Sequence, residues 1–496
     1  MRTGPLAGRY SAAAAMVIFA LVPFLALSAA LQPLTPIIAH QLHMSLQTMS
    51  LGSGMANAGY AVGTVLAVAL AQHLPQRRMM VVYAGLLVIG SFLAAAAQNP
   101  GMFIAGHVLQ GLCTSLLLIA AVPPLALGFG TSRFRETAMI MNICIFGAVA
   151  LGPTMGGIQA SAHAWRPLFF VVAGISLAAL VLALLTYEEA PPADPTVPLN
   201  PLAIVLAGAG SVAAFYGASE LLTHRFLNPR TVAPLLGGLV LIIVLVVNQY
   251  RSRRPLLTVR SMLSSTMPVA GITVALFAAA ASVSATALTA TVLAQRYSPL
   301  HVGLLYLPEL GGAIITAFAL GAVINKRYMH YLPLAGMALL AAGIGVFLVR
   351  VPSTPALTLI GSGLTGLGLG ATVAPALFVA GLSLRSQNLQ RVFAIVELFR
   401  AVAAFMVAPV FAHFAATVGP NLISGTGTML WVGLGLAASG AIIAVILYGL
   451  GGARAQTPNL ERFMEGDAPA WYSPPLLARL RAPPARRVLA EDAAGL

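Results

Sequence analysis

Fourteen apolar blocks of about 20 residues, separated by short polar connections, constrain this chain more than any other feature. A helix rising about 1.5 Å per residue needs about that length to cross roughly 30 Å of hydrocarbon, and within it every backbone N–H and C=O finds a partner in its own segment. The blocks begin near Ala12, Ser50, Met79, Met102, Ala138 and Pro167, then near Leu202, Thr231, Met267, His301, Tyr331, Pro355, Val392 and Thr428. Composition agrees: of 496 residues 59% are hydrophobic and 8% charged, against about a quarter charged in soluble domains. A soluble enzyme and a disordered chain are thereby excluded. The net charge of +14 does not signal a nucleic-acid partner, because the basic residues sit in short loops and not on one folded face. The partner implied is the lipid bilayer.

The first block follows only Arg2 and Arg9 and is too long for a signal-peptide core, so it reads as a retained helix. Placing the N-terminus inside puts twenty of the 26 Lys and Arg on the inner side, among them Arg77, Arg78, Arg133, Arg135, Lys326 and Arg327. Five lie outside (Arg166, Arg225, Arg230, Arg296 and Arg350), and Arg400 falls within the thirteenth block. Cytoplasmic loops retain positive charge. The bias therefore predicts a multi-pass protein of the cell inner (plasma) membrane with both termini cytoplasmic.

A weak internal repeat pairs AVALAQHLPQRRMMVVYAGLLVIG (67–90) with FALGAVINKRYMHYLPLAGMALLAAG (318–343), each a helix, a short basic loop and a helix. The expected fold is all-α and integral to the membrane, with two six-helix bundles and two inserted helices. Its expected parts are a cytoplasmic N-terminus (1–11), an N-terminal bundle (12–186), a linker with helices 7 and 8 (187–250), a C-terminal bundle (251–450) and a cytoplasmic, disordered tail (451–496). Repeat-built transporters place their substrate cavity at the bundle interface near the midplane. The PAWYSPPLLARL stretch of the tail, with Trp471 and Tyr472, offers docking to a partner or to the membrane as an alternative to disorder.

The fifth block carries GAVALGPTMGG, with Gly147, Gly152, Pro153, Gly156 and Gly157. Glycines at this spacing leave one helix face bare for close packing, and Pro153 removes a backbone hydrogen bond. Generic helix packing would account for the spacing alone. The whole GPxxGG string, however, resembles the antiporter signature of the major facilitator superfamily. HAWRPLFFV just after it, with Trp165, Arg166 and Phe169, resembles the WRxxF of its fourteen-helix drug:proton antiporter branch. HVLQG (His107, Gln110, Gly111) is similar to that family's RxxQG, and the loop QHLPQRRMM (72–80) to its DRxGRR loop. RSRRPLLTVRSM before the ninth span and RYSPLHVGLLYLP before the tenth also fit, so the resemblance covers roughly residues 12 to 450.

Departures from the family pattern are specific. His107 stands for the arginine of the fourth helix, and Gln72 and Pro75 stand for the loop's aspartate and glycine. The first-helix aspartate is missing, since LQPLTPII holds Gln32 and no acid. The resemblance implies a gate loop built from Gln72, Arg77 and Arg78, with the two arginines lacking their usual carboxylate.

Three acids fall in or near spans, Glu220, Glu309 and Glu397. An ionisable group in hydrocarbon is costly unless paired or hydrated, so each is a functional candidate. Glu397 precedes Arg400 by three residues, which puts both on one helix face. They form either a locking ion pair or a switch. Glu309 has no cation at helical spacing and is the better proton carrier. His107 serves as a proton relay or as a neutral filler. His40, His43, His163, His301 and His413 sit near span ends and read as interfacial, and Glu220, beside His224 and Arg225, as a surface or mouth residue.

No phosphate loop, binding cassette or Cys/His metal cluster is present in the sequence, and Cys113 and Cys144 lie in apolar blocks. No cofactor is expected, and ATP-driven pumping by this chain is unexpected. A membrane-embedded transferase would need catalytic residues in a large outer loop, and these loops are short. The expectation is a secondary transporter, not an enzyme, exporting a small amphiphile against protons by alternating access, with Glu309, Glu397, Arg400 and His107 as coupling residues. The missing N-terminal carboxylates favour a neutral or anionic substrate over a dication. An adaptor protein and an outer-membrane channel are partners left open. The alternative is a transporter-derived sensor or assembly factor that does not pump.

Overall fold

The computed structural model describes residues 4–187, 192 and 199–481. Within them are fourteen helices long and apolar enough to cross a membrane. They are α1 (Tyr10–Gln41), α2 (Leu46–Ala71), α3 (Gln76–Ala95), α4 (Pro100–Leu127), α5 (Thr131–Ser161), α6 (Arg166–Thr186) and α7 (Pro201–Glu220). There follow α8 (Pro229–Arg251), α9 (Thr266–Leu293), α10 (Pro299–Val323), α11 (Arg327–Val349), α12 (Pro355–Leu382), α13 (Ser386–Thr417) and α14 (Leu422–Gly451). No strand occurs among the described residues, whose sole β-bridge joins Ser265 to Pro475.

Several helices extend beyond the apolar stretch because a polar cap starts them. Ser45 accepts from the Thr48 amide, Asn99 from Met102, Asn200 from Ala203 and Asn421 from Ser424, each satisfying one of the orphan N–H groups of a first helical turn. Two spans are irregular inside. α5 widens into a π-helical turn at Ile143–Gly147, which ends on the first glycine of its motif, and α10 is interrupted at Tyr306, ahead of Pro308.

Helices α1 to α6 pack on one another, α2 and α3 against α4, and α1 against α5 and α6. Helices α9 to α14 form a second group, with α9 against α12, α13 and α14, and α12 against α10 and α11. The groups meet where α2 faces α13 and α5 faces α10, while α7 and α8 pair and α7 bridges α2 and α13.

The expected disorder of the tail does not hold for residues 452–481. A short helix, α15 (Leu460–Glu465), buries Phe463, and Trp471 is buried with its indole N–H donating to Ser383 Oγ at 2.8 Å. The Thr266 amide donates to the Pro474 carbonyl and the Leu476 amide to that of Ser264, while the His330 ring meets the Trp471 ring at 4.4 Å. The few apolar residues of this segment thus find a ready socket at the ends of α9, α11 and α12, which composition could not reveal. Positions 482–496 of the expected tail lie outside the described residues, as does most of the linker between α6 and α7.

Candidate functional site

The two helix groups are joined by a buried triad. Glu397 and Arg400 lie one turn apart on α13, and the guanidinium donates to Glu397 Oε2 from Nη2 at 2.6 Å and from Nε at 2.8 Å. Tyr60, on α2, donates from its hydroxyl to the same Oε2 at 3.1 Å and accepts from Arg400 Nη2 at 3.1 Å. All three are buried, at 1% exposure for Glu397, 5% for Arg400 and 0% for Tyr60. Glu397 Oε1 has no hydrogen-bond partner among the described residues. A pair so enclosed adds little net stability, because desolvation offsets its attraction, but loss of one partner strands the other.

Glu309 stands alone. It occupies the first turn of the second segment of α10, is buried, and its Oε2 lacks a partner among the described residues. Its backbone packs directly on Gly366 of α12, where a Cβ would collide with it.

His107 packs against α1 and borders α2. Its Nδ1 pairs with Gln110 Oε1 at 3.1 Å, Gln110 donates to Ser91 Oγ at 3.1 Å, and Ser91 meets Ser176 Oγ at 3.2 Å, so one polar chain ties α4 to α3 and α6. The ring lies between Phe24 and Phe103, with centroids 5.5 and 5.9 Å away. It also borders a cavity of about 360 Å³ lined by α1, α2, α4 and, just past α7, Leu222.

The glycine motif works on two neighbours. Side chains at Gly152 and Gly156 would strike the α1 backbone at Ala26 and Ala30, and one at Gly157 would strike α10 at Pro299. Gly303 answers from α10, fitting against Pro153 and Thr154, and Thr154 Oγ1 donates to its carbonyl at 2.8 Å. Gly147 is looser, with its nearest atoms 3.4 Å from a built Cβ. Further bonds cross between the groups: Gln32 to Thr291 at 3.0 Å, Asn142 to the Gly370 carbonyl at 3.0 Å and Gln390 to the Ile119 carbonyl at 3.2 Å.

Gln72 is buried in the connection before α3, whereas Arg77 and Arg78 fall in the first turn of α3 itself, Arg78 exposed and Arg77 donating to the Leu184 carbonyl at 3.2 Å near the end of α6. A helix C-terminus thus supplies negative partial charge where the expected carboxylate is absent. Trp165 and Arg166 both donate to Gln41 Oε1, at 2.8 and 3.1 Å, and Trp165 meets Phe169 edge-on, so this motif clamps α6 to α1. Glu220 departs from expectation. It is buried, accepting from Gln47 Nε2 at 3.2 Å and pairing with His224 Nδ1 at 3.0 Å, because α7 packs on α2 and covers it.

The sequence reading missed Tyr60, whose signal was a lone tyrosine continuing the Ser50, Ser53, Asn57 face of α2. It also missed Gln32, Thr291 and Asn142 as bridging residues. None of these carries a charge that would mark it in an apolar span.

A multi-pass helical protein whose halves meet around buried polar groups belongs with membrane transporters. The family model described as Major Facilitator Superfamily matches residues 12–408, and the chain belongs to that superfamily. Among similar curated proteins is the Multidrug resistance protein B homolog of Mycobacterium tuberculosis (strain ATCC 25618 / H37Rv), 27% identical over 325 residues, covering 64% of this chain and 60% of that protein. The match thus spans about 60% of that relative's length. The Drug efflux pump JefA of Mycobacterium tuberculosis (strain CDC 1551 / Oshkosh) is 24% identical over 377 residues, covering 72% of this chain and 74% of that protein. Among solved structures, the proton:xylose symporter XylE superposes with a TM-score of 0.59 at 11% identity, covering 88% of this chain and 95% of that one. The human organic anion transporter MFSD10 (TETRAN) gives 0.60 at 14%, covering 88% and 99%. At these identities the likeness is one of fold.

Proposed function

We propose that this protein is an exporter of small amphiphiles driven by proton antiport, working by alternating access in the cell inner membrane with both termini cytoplasmic. The observation that carries the reading is the Tyr60, Glu397, Arg400 triad, because it spans the two helix groups that alternating access must move apart. Residues 12–186 and 251–450 are the two moving bundles, with the inserted pair in 187–250 between them. Proton binding to Glu397 weakens its hold on Arg400 and Tyr60 and releases the bundles. Glu309, buried without a counter-charge among the described residues, can be neutral only by binding a proton, which suits it to carry one. His107 passes the state of the nearby cavity to α3 and α6 through Gln110 and Ser91. The glycine seam of Gly152, Pro153, Gly156 and Gly157 against α1 and α10, with Gly147 at its start, seals the resting state, and the Gln72, Arg77, Arg78 loop gates the cytoplasmic side. The drug-efflux names of the relatives support the direction of transport.

The test uses everted vesicles holding the purified chain and a pH-sensitive dye, an inside-acid gradient, and a panel of cationic, neutral and anionic amphiphiles. Substrate-dependent proton release that disappears in Glu309→Gln or Glu397→Gln is the expected result. Unchanged release in both variants overturns the coupling assignment, and silence across the panel overturns antiport.

A further inference from the structure

The cavity beside His107 is lined on α2 by Ser50, Ser53 and Asn57, and on α1 by Gln32. Positions 50, 53 and 57 fall on one helix face, and Tyr60 continues it one turn deeper. The side chains of Ser50, Ser53 and Asn57 have no hydrogen-bond partner among the described residues, and all three are half-buried. Gln32, by contrast, already donates to Thr291. Among the described residues no Asp, Glu, Lys or Arg lines the cavity, whose apolar wall includes Leu31, Met49 and Leu222.

Such a chamber has hydroxyl and amide groups to offer and no charge to match. An ion of either sign placed there would leave water with no carboxylate, ammonium or guanidinium group on the wall to match its charge. A neutral group rich in hydroxyls pairs with Ser and Asn in both directions, because each can donate and accept. The volume of about 360 Å³ falls within the range of small-molecule sites.

We infer that this cavity is the binding site for the head of a neutral, polyhydroxylated amphiphile, read by Ser50, Ser53 and Asn57, with its apolar part against Leu31, Met49 and Leu222. This rests on the transporter reading and narrows its substrate class. It also gives ligand and coupling group a shared element, since the α2 face that touches the ligand ends in the tyrosine that holds Glu397.

The test sets the full chain in lipid nanodiscs against three probes with one tail, n-octyl β-D-glucoside, n-octyltrimethylammonium and n-octyl sulfate, each below its micelle concentration and corrected for empty discs. Saturable glucoside binding at least tenfold tighter than that of either charged probe is expected, and about tenfold weaker binding in Asn57→Ala combined with Ser53→Ala. Equal or tighter binding of a charged probe, or unchanged affinity in the double variant, overturns the inference. Asn57→Cys supplies a second readout, because the two native cysteines are buried. Glucoside should slow alkylation of the introduced thiol, and unaltered alkylation at saturation overturns the site. Charged amphiphiles exported against protons without glucoside binding would overturn this inference and leave transport standing. Glucoside binding without proton release in vesicles would do the reverse.

Discussion

The Tyr60 hydroxyl donates to Glu397 Oε2 at 3.1 Å, joining α2 to α13 across 337 positions of chain. The same hydroxyl accepts from Arg400, so one neutral side chain contacts both members of a buried ion pair. Its ring is fixed independently, stacked 6.0 Å from Phe24 and edge-on 6.1 Å from Phe405. Packing and hydrogen bonding at Tyr60 can therefore be separated by experiment.

Tyr60→Phe keeps the ring and removes both bonds. Hydrogen bonds to charged groups contribute about 1.5–3 kcal/mol each, so the equilibrium between closed and open arrangements of the bundles should shift about tenfold or more. Spin-label distances between α2 and α13 would report it. An unchanged distance distribution would mean that the triad does not hold the bundles.

Arg400→Met and Glu397→Met should each cost about 3–5 kcal/mol, because either leaves a buried charge alone. The double variant should recover much of that loss, since two apolar side chains strand nothing. Thermal melting of the purified protein decides the matter, and a double variant as unstable as the sum of the singles would rule out coupling between them.

The five motif positions of α5 are not equivalent. Gly152→Ala, Gly156→Ala and, on α10, Gly303→Ala bring a methyl group against backbone and should each cost about 1–3 kcal/mol. Gly147→Ala meets only side-chain atoms at 3.4 Å, and Gly311→Ala meets nothing within 4 Å. Both should melt within about 1 kcal/mol of the parent protein, Gly being the poorer helix former.

Trp471→Ala removes the indole that fills the socket beside Ser383 and His330. Loss of a buried tryptophan costs about 3–5 kcal/mol in a well-packed core. Amide hydrogen exchange should rise at Thr266 and Leu476, whose N–H groups bond across the tail contact, with the interior of α9 unaffected. Unchanged exchange at both amides would show that the tail is held without its tryptophan.

The helices were legible because each obeys a local rule. A span must be apolar over its own length, and the caps at Ser45, Asn99 and Asn421 act within three residues. The Glu397 and Arg400 pair was legible for the same reason, being one turn apart on one helix. Glu220 was misread because its cover comes from α2, more than 140 positions away in the chain, and no local pattern records that contact.

The amino-acid sequence by itself determined the number of spans and the acids that hydrocarbon makes costly, since both follow from burying one segment in lipid. Only the tertiary structure decided that Tyr60 completes the Glu397 and Arg400 pair, that Ser50, Ser53 and Asn57 line a cavity, and that Trp471 docks the tail. These depend on which helices become neighbours. In a bilayer that choice rests on close packing and interhelical hydrogen bonds, which act between residues far apart in the chain and leave little trace in the composition of either helix.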